Sequence, residues 1–101
     1  MQRNVHSSVI DGLVLSGMQP TFVAPEIGTE LGGAHCLTAD ALEAALDRTP
    51  GAVAAFTVSP TYFGAVADVA GLSAVAHARG VPLVVDESWG AHLAFSDEVP
   101  A

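Results

Sequence analysis

Two short apolar runs separated by a helical segment constrain the fold of this chain more than any other feature. Ala52–Val58 and Pro82–Val85 are too short for typical helices, so we predict two strands that are buried on both faces. Between them, Asp68 can cap a helix whose apolar residues recur at helical spacing until Gly80. A strand, a helix and a second strand in this order are typical of a βαβ unit. The sequence therefore predicts an α/β fold with a parallel sheet.

Two more helices are predicted before the first strand. The first is capped by Ser7 and Ser8 and ends at Gly17. The second begins with Thr38 and Asp40 and is closed by Pro50 and Gly51. Apolar residues keep helical spacing in the first helix (Val9, Ile10, Leu13 and Val14) and share one face of the second (Leu42, Ala45 and Leu46).

The two segments between these helices carry weaker signals. Pro20–Val23 reads as a short extended piece. Glu26–His35 contains three glycines and little periodicity, so we predict a loop there.

Composition and charge exclude several functional classes. The 101 residues allow one domain, and eleven acidic residues against three arginines give a net charge of −8, which argues against nucleic acid or an anionic membrane as a partner. No apolar run approaches the roughly 18 residues of a membrane span. The single cysteine, Cys36, cannot form an intramolecular disulfide, so we expect a cytoplasmic protein with Cys36 as a packing residue. Lysine is absent, which excludes Schiff-base, P-loop and lysine-base chemistry by these residues.

Polar and aromatic residues follow both predicted strands, at the sheet edge where open α/β proteins bind ligands. Asp86 is either the cap of a following helix or the partner of a cation, because an unpaired carboxylate is costly at that position. Ser59 and Thr61 are either turn residues or polar contacts to a ligand. Trp89 is either a core residue at the sheet edge or an aromatic wall beside a flat ligand.

The four histidines do not have the spacing of a metal site. His6, His35, His77 and His92 form no i, i+4 pair and no Cys/His motif, so we expect no bound metal. His77 falls near the end of the third predicted helix, where it can complement the helix dipole.

Three motifs, taken in order, resemble one known family. Residues 3–8 (RNVHSS), 59–64 (SPTYFG) and 86–92 (DESWGAH) are similar to the large domain of the Orn/Lys/Arg decarboxylases, which are pyridoxal-phosphate enzymes of the aspartate-aminotransferase fold (fold type I). The resemblance covers nearly the whole chain. It implies pyridoxal 5'-phosphate as cofactor, release of CO₂ from ornithine, lysine or arginine, and assembly of the intact enzyme into homo-oligomers.

The resemblance also implies roles for individual residues. Asp86 matches the aspartate that pairs with the pyridine nitrogen and keeps the ring protonated, so that the ring can accept electrons. His6 matches the histidine that stacks on the ring. Trp89 matches an aromatic position beside the ring, and Ser59 or Thr61 lies where the fold places polar contacts to cofactor or substrate.

The chain departs from the family pattern at several points. Ser88 takes the place of the usual alanine beneath the pyridine, where it would contact the ring, and Ser7 stands where a lysine is common. The family's Schiff-base lysine and most of its phosphate-binding cup do not occur between Met1 and Ala101. We therefore expect a partial large domain that is truncated at both ends, has no catalytic residue of its own and is inactive alone. We also expect the isolated chain to be marginally stable, loosely packed or self-associated.

Two alternatives are compatible with the same residues. The first is another pyridoxal-phosphate enzyme of fold type I, either an aminotransferase or an acyl-CoA-condensing synthase. The second belongs to a different class and is a non-catalytic remnant or assembly module.

Overall fold

The computed structural model describes residues 1–28 and 35–98. Over those residues the chain is an α/β arrangement in which helices alternate with short strands in its second half. None of the described helices has the length and apolarity needed to cross a membrane. The elements are α1 (Ser7–Ser16), α2 (Ala39–Arg48), β1 (Ala55–Val58), α3 (Val69–Ala78), β2 (Leu83–Asp86) and a 3₁₀ turn (Leu93–Phe95).

The predicted βαβ unit is confirmed by β1, α3 and β2. The two strands pair in parallel, with Ala55 opposite Leu83 and Val58 opposite Asp86. β1 begins three residues later than predicted, because the backbone N–H of Ala52 still donates to Thr49 in the turn after α2 (3.1 Å). The carboxyl ends of both strands therefore meet at one edge of the sheet.

The prediction that both strands are buried on both faces is wrong. In β1, Ala55 and Thr57 are buried whereas Phe56 and Val58 are partly exposed. In β2, Val84 is 47% exposed. Helices α2 and α3 pack against each other, and α3 packs against β2, so the described elements cover the sheet mainly from one side.

The core lies between α2, α3 and this covered side of the sheet. Both helices begin at the predicted caps, since Thr38 Oγ1 accepts a hydrogen bond from Ala41 N (3.2 Å) and Asp68 Oδ1 accepts one from Gly71 N (3.0 Å). These caps satisfy N–H groups that the first turn leaves without partners. The buried apolar residues are Val23, Leu37, Leu42, Ala45, Leu46, Ala55, Ala67, Leu72, Ala76 and Val81.

Helix α1 differs from its prediction in its cap, and it is exposed despite its apolar residues. His6, and not Ser7 or Ser8, is the cap, because His6 has extended backbone angles while both serines lie at or inside the helix start. Gly17 ends the helix in the left-handed conformation (φ 72°), as predicted. Within this helix no residue is buried, and Leu15 is 89% exposed. Val9 and Leu13 of α1 border an open groove of about 850 Å³, which is shared with α2 and residues 51–56.

The N-terminal segment extends the sheet beyond β1. The backbone N–H of Gln2 donates to Phe56 O (3.0 Å), and Gln2 forms a parallel bridge with Val23. The predicted extended piece Pro20–Val23 is thus reduced to a single bridging residue. Of the predicted loop Glu26–His35, residues 29–34 lie outside the described residues.

Candidate functional site

A cavity of about 290 Å³ opens where β1 and β2 end. Three segments contribute to it: the start of α1, the loop after β1 and the turn after β2. All three belong to the sequence motifs at residues 3–8, 59–64 and 86–92, so the fold brings together what is separated along the chain. The lining residues are His6, Ser8, Val58, Pro60, Tyr62, Asp86, Ser88 and Trp89.

Asp86 is the last residue of β2 and places a carboxylate in this cavity. Its Oδ1 accepts two hydrogen bonds from Ser88, one from the hydroxyl (2.5 Å) and one from the backbone N–H (3.1 Å). Hydrogen bonds from the Ser88 hydroxyl and, second, from its backbone N–H lower the pKa of Asp86 below its usual value. Burial acts in the opposite direction, and the electrostatic effect of the nearby His6 is a smaller lowering contribution. Among the described residues no hydrogen bond reaches Oδ2. Asp86 therefore caps the turn with one oxygen, and its other oxygen accepts no hydrogen bond from the described residues.

His6 forms a second wall of the cavity and is fixed by its role as the cap of α1. Its Nδ1 accepts a hydrogen bond from Ser8 N (3.1 Å) and lies 2.8 Å from Ser8 Oγ. A backbone N–H can only donate, so the neutral ring carries its proton on Nε2. The cap thus determines both the orientation of the imidazole and its tautomer.

Gln2 anchors the segment that carries His6, and sequence reasoning missed it. Its side chain is fully buried. Oε1 accepts hydrogen bonds from Thr57 Oγ1 (2.6 Å) and Val58 N (3.1 Å), while Nε2 donates to Asn4 Oδ1 (2.7 Å). At the end of β1, the amide oxygen of Gln2 thus accepts the backbone hydrogen bond that a neighbouring strand would otherwise accept. Nothing in the local sequence distinguishes this glutamine from an exposed one.

Trp89 and Tyr62 form the aromatic part of the lining. Trp89 is 69% exposed, so the interpretation as a core residue is wrong. Its ring meets that of Tyr62 edge to face, with centroids 6.4 Å apart and planes at 76°. A Cβ at Gly90 would lie 2.7 Å from Pro60 Cδ, so glycine allows the Trp89 turn to approach the loop after β1. Tyr62 lies inside the second motif, but the sequence assigned it no role.

Ser59 and Thr61 are buried, and their hydroxyls have local partners. Ser59 Oγ accepts a hydrogen bond from Ala67 N (2.9 Å), and Thr61 Oγ1 accepts one from Ala65 N (3.2 Å). These bonds agree with the interpretation as turn residues, and a contact to a cofactor stays a prediction for both. Of the six predicted cofactor-binding residues, the cavity brings together His6, Asp86, Ser88 and Trp89.

The remaining polar candidates lie outside this cavity. Among the described residues, no three His, Cys, Asp or Glu side chains are placed to hold a metal ion. His77 lies in the last turn of α3, as predicted. The thiol of Cys36 donates to Ala65 O (3.3 Å), and burial, together with the charge of Glu26, raises its pKa. Cys36 therefore has the properties of a packing residue and not of a nucleophile.

Comparison with known proteins gives consistent similarities. The profile of the family described as Orn/Lys/Arg decarboxylase, major domain, matches residues 1–101. Arginine decarboxylases from Bacillus subtilis (strain 168) and Halalkalibacterium halodurans are 43% and 42% identical over 98 residues, which are 97% of this chain and 20% of each relative. The arginine decarboxylase of Bacillus cereus is 40% identical over 98 residues, or 97% of this chain and 21% of that relative. No solved structure matches the chain. The chain spans about a fifth of the length of the curated relatives it matches.

Proposed function

The chain belongs to the Orn/Lys/Arg decarboxylase family, and we propose that it forms the part of a basic-amino-acid decarboxylase that holds the pyridine ring of pyridoxal phosphate. One observation carries the proposal: the carboxylate of Asp86 lies in a cavity that is also lined by the imidazole of His6 and the indole of Trp89. The names of the relatives support arginine as the substrate. Decarboxylation itself is proposed for a protein of the relatives' length.

The polar groups of the cavity fit a protonated pyridine ring. Ser88 occupies Oδ1 of Asp86 and leaves Oδ2 for a ring N–H donor. A neighbouring carboxylate favours the protonated form of such a nitrogen. Among the described residues, no arginine lines the cavity, so no side-chain guanidinium there competes with the ring for Asp86.

The flat groups of the cavity fit the faces of such a ring. His6 accepts a hydrogen bond from Ser8 N, and Trp89 contacts Tyr62 edge to face, so the two planar side chains come from two separate segments. Aromatic rings favour stacked or edge-to-face contacts and bury apolar area when they do so. His6 and Trp89 therefore favour binding of a flat ligand over a branched or flexible one.

The residues that line the cavity would have separate roles in the intact enzyme. When bound, pyridoxal phosphate supplies an electron sink for the pair left on the substrate Cα after CO₂ departs. Asp86 would hold a proton on the ring nitrogen, while His6 and Trp89 would orient the ring and exclude water from it. The 101 residues contain no lysine, so none of their side chains provides the amine for covalent attachment. We therefore propose that the chain alone does not catalyse the reaction.

Binding of pyridoxine 5'-phosphate to the full chain tests the proposal. This compound carries an alcohol in place of the aldehyde and so forms no adduct with the amino group of Met1. Trp89 is the only tryptophan, and its fluorescence reports occupancy of the cavity directly. We expect Asp86→Asn, which keeps the shape and removes the charge, to weaken binding about tenfold or more, because a hydrogen bond to a charged group is lost.

The control is Asp97→Asn, since Asp97 is exposed and lies outside the cavity lining. That variant should bind as the unmodified chain does. Equal affinities for Asp86→Asn and Asp97→Asn would contradict the proposal, as would the absence of any binding by the unmodified chain.

A further inference from the structure

We propose that Ser88 is a positioning residue that orients the Asp86 carboxylate and weakens it as an acceptor for the ring nitrogen. The inference rests on the proposed function, because it concerns the same cavity. It adds a role that the family resemblance does not supply, since that resemblance places an alanine at this position.

The geometry around Asp86 is asymmetric. Both donors of Ser88, the hydroxyl at 2.5 Å and the backbone N–H at 3.1 Å, converge on Oδ1. Two bonds from a single neighbour restrain rotation of the carboxylate about its Cβ–Cγ bond. Among the described residues, Oδ2 receives no hydrogen bond, and it is left as the acceptor for a ligand.

The hydroxyl also changes the strength of that acceptor. A short bond from a hydroxyl to a carboxylate is stronger than a neutral one and withdraws negative charge from the acceptor. The lowered pKa of Asp86 has this bond as its largest cause. A less basic carboxylate stabilises a pyridinium less, so the bound ring nitrogen loses its proton at a lower pH than it would beside an unmodified carboxylate.

Other titratable groups around Asp86 come from every surrounding segment. His6 stands at the start of α1, Tyr62 lies in the loop after β1, and Glu87 follows Asp86 in the chain. A change at Ser88 leaves all three in place. The backbone N–H of residue 88 also remains, so replacement by alanine removes the hydroxyl bond and keeps the turn.

The test follows the ring nitrogen itself. The full chain is saturated with pyridoxine 5'-phosphate labelled with ¹⁵N in the ring, and the nitrogen shift is recorded by NMR against pH. In Ser88→Ala we expect the titration of the bound ring to move to higher pH by about half a unit or more. Ser88→Thr keeps a hydroxyl and should restore the original midpoint.

Ser96→Ala is the control, because it removes a hydroxyl that accepts a turn hydrogen bond from Glu98 N (3.2 Å) outside the cavity. Its midpoint should equal that of the unmodified chain. Coincident midpoints for Ser88→Ala and the unmodified chain, both saturated, would overturn the inference and leave the proposed function standing. The inference would also be overturned if Ser88→Thr, which keeps the hydroxyl, showed the same midpoint shift as Ser88→Ala. Failure of the unmodified chain to bind the probe would overturn the proposed function and, with it, the role of Ser88.

Discussion

Replacing Gln2 by methionine tests whether the buried amide holds the His6 segment against β1. Methionine is close to glutamine in length and volume but offers neither amide group. Gln2 is fully buried, so water cannot take over its bonds without a local opening. The substitution leaves Thr57 Oγ1 and Val58 N without the acceptor they share in the structure.

The size of the effect follows from these two bonds. A buried donor left without a partner costs about 1–3 kcal/mol. The Thr57 hydroxyl can rotate, whereas the Val58 N–H is fixed by the strand, so we expect a loss of about 2–4 kcal/mol in the free energy of unfolding. The total free energy of unfolding of a natural domain is roughly 5–15 kcal/mol. The change is therefore large enough to measure.

Urea unfolding followed by far-UV circular dichroism gives the global effect, and hydrogen exchange at the Val58 amide gives the local one. Gln19→Met is the matched control, since Gln19 is exposed and its side chain makes no hydrogen bond to any described residue. In a double-mutant cycle, Thr57→Val should cost about 1 kcal/mol less in the Gln2→Met background than alone, because its partner is already gone. If Gln2→Met matched Gln19→Met in unfolding and left Val58 exchange unchanged, the anchoring role of Gln2 would be refuted.

Two further predictions concern the cavity wall and the cysteine. Gly90→Ala should cost about 1–3 kcal/mol and weaken the near-UV circular dichroism of Trp89, because the new Cβ collides with Pro60; an unchanged spectrum and melt would contradict the close approach. Cys36 should react with iodoacetamide more slowly than free cysteine at neutral pH, because its raised pKa leaves less thiolate, and Glu26→Gln should increase the rate. Equal rates in the unmodified chain and in Glu26→Gln would show that the charge of Glu26 does not affect the pKa of the thiol.

Local signals in the sequence were sufficient for the order of the elements and for several of their ends. The caps Thr38 and Asp68 and the left-handed Gly17 were predicted because each acts on backbone groups within a few residues of itself. The position of Asp86 followed from the apolar run before it and from the rule that parallel strands present their carboxyl ends at one edge. Each of these features depends on interactions within a short stretch of chain, so the local sequence was enough to predict it.

The composition of the site depended on contacts between distant residues. Gln2 and Thr57 are 55 positions apart, and no periodicity links a glutamine before a helix to a threonine in a strand. For Ser59 and Thr61 the sequence leaves open turn roles and ligand contacts, and the hydrogen bonds that both hydroxyls accept within their own loop agree with the turn roles.

The burial of the two strands also depended on contacts between residues that are distant in the sequence. Apolar runs predict that β1 and β2 are covered on both faces, but coverage depends on which helices pack there. In the described residues α3 packs against β2 and α2 packs against α3, while Val84 is left 47% exposed. The distinction has a physical basis. Caps and turns are formed by neighbours that the chain always keeps close, whereas buried hydrogen bonds and covered faces exist only where the whole fold brings distant groups together.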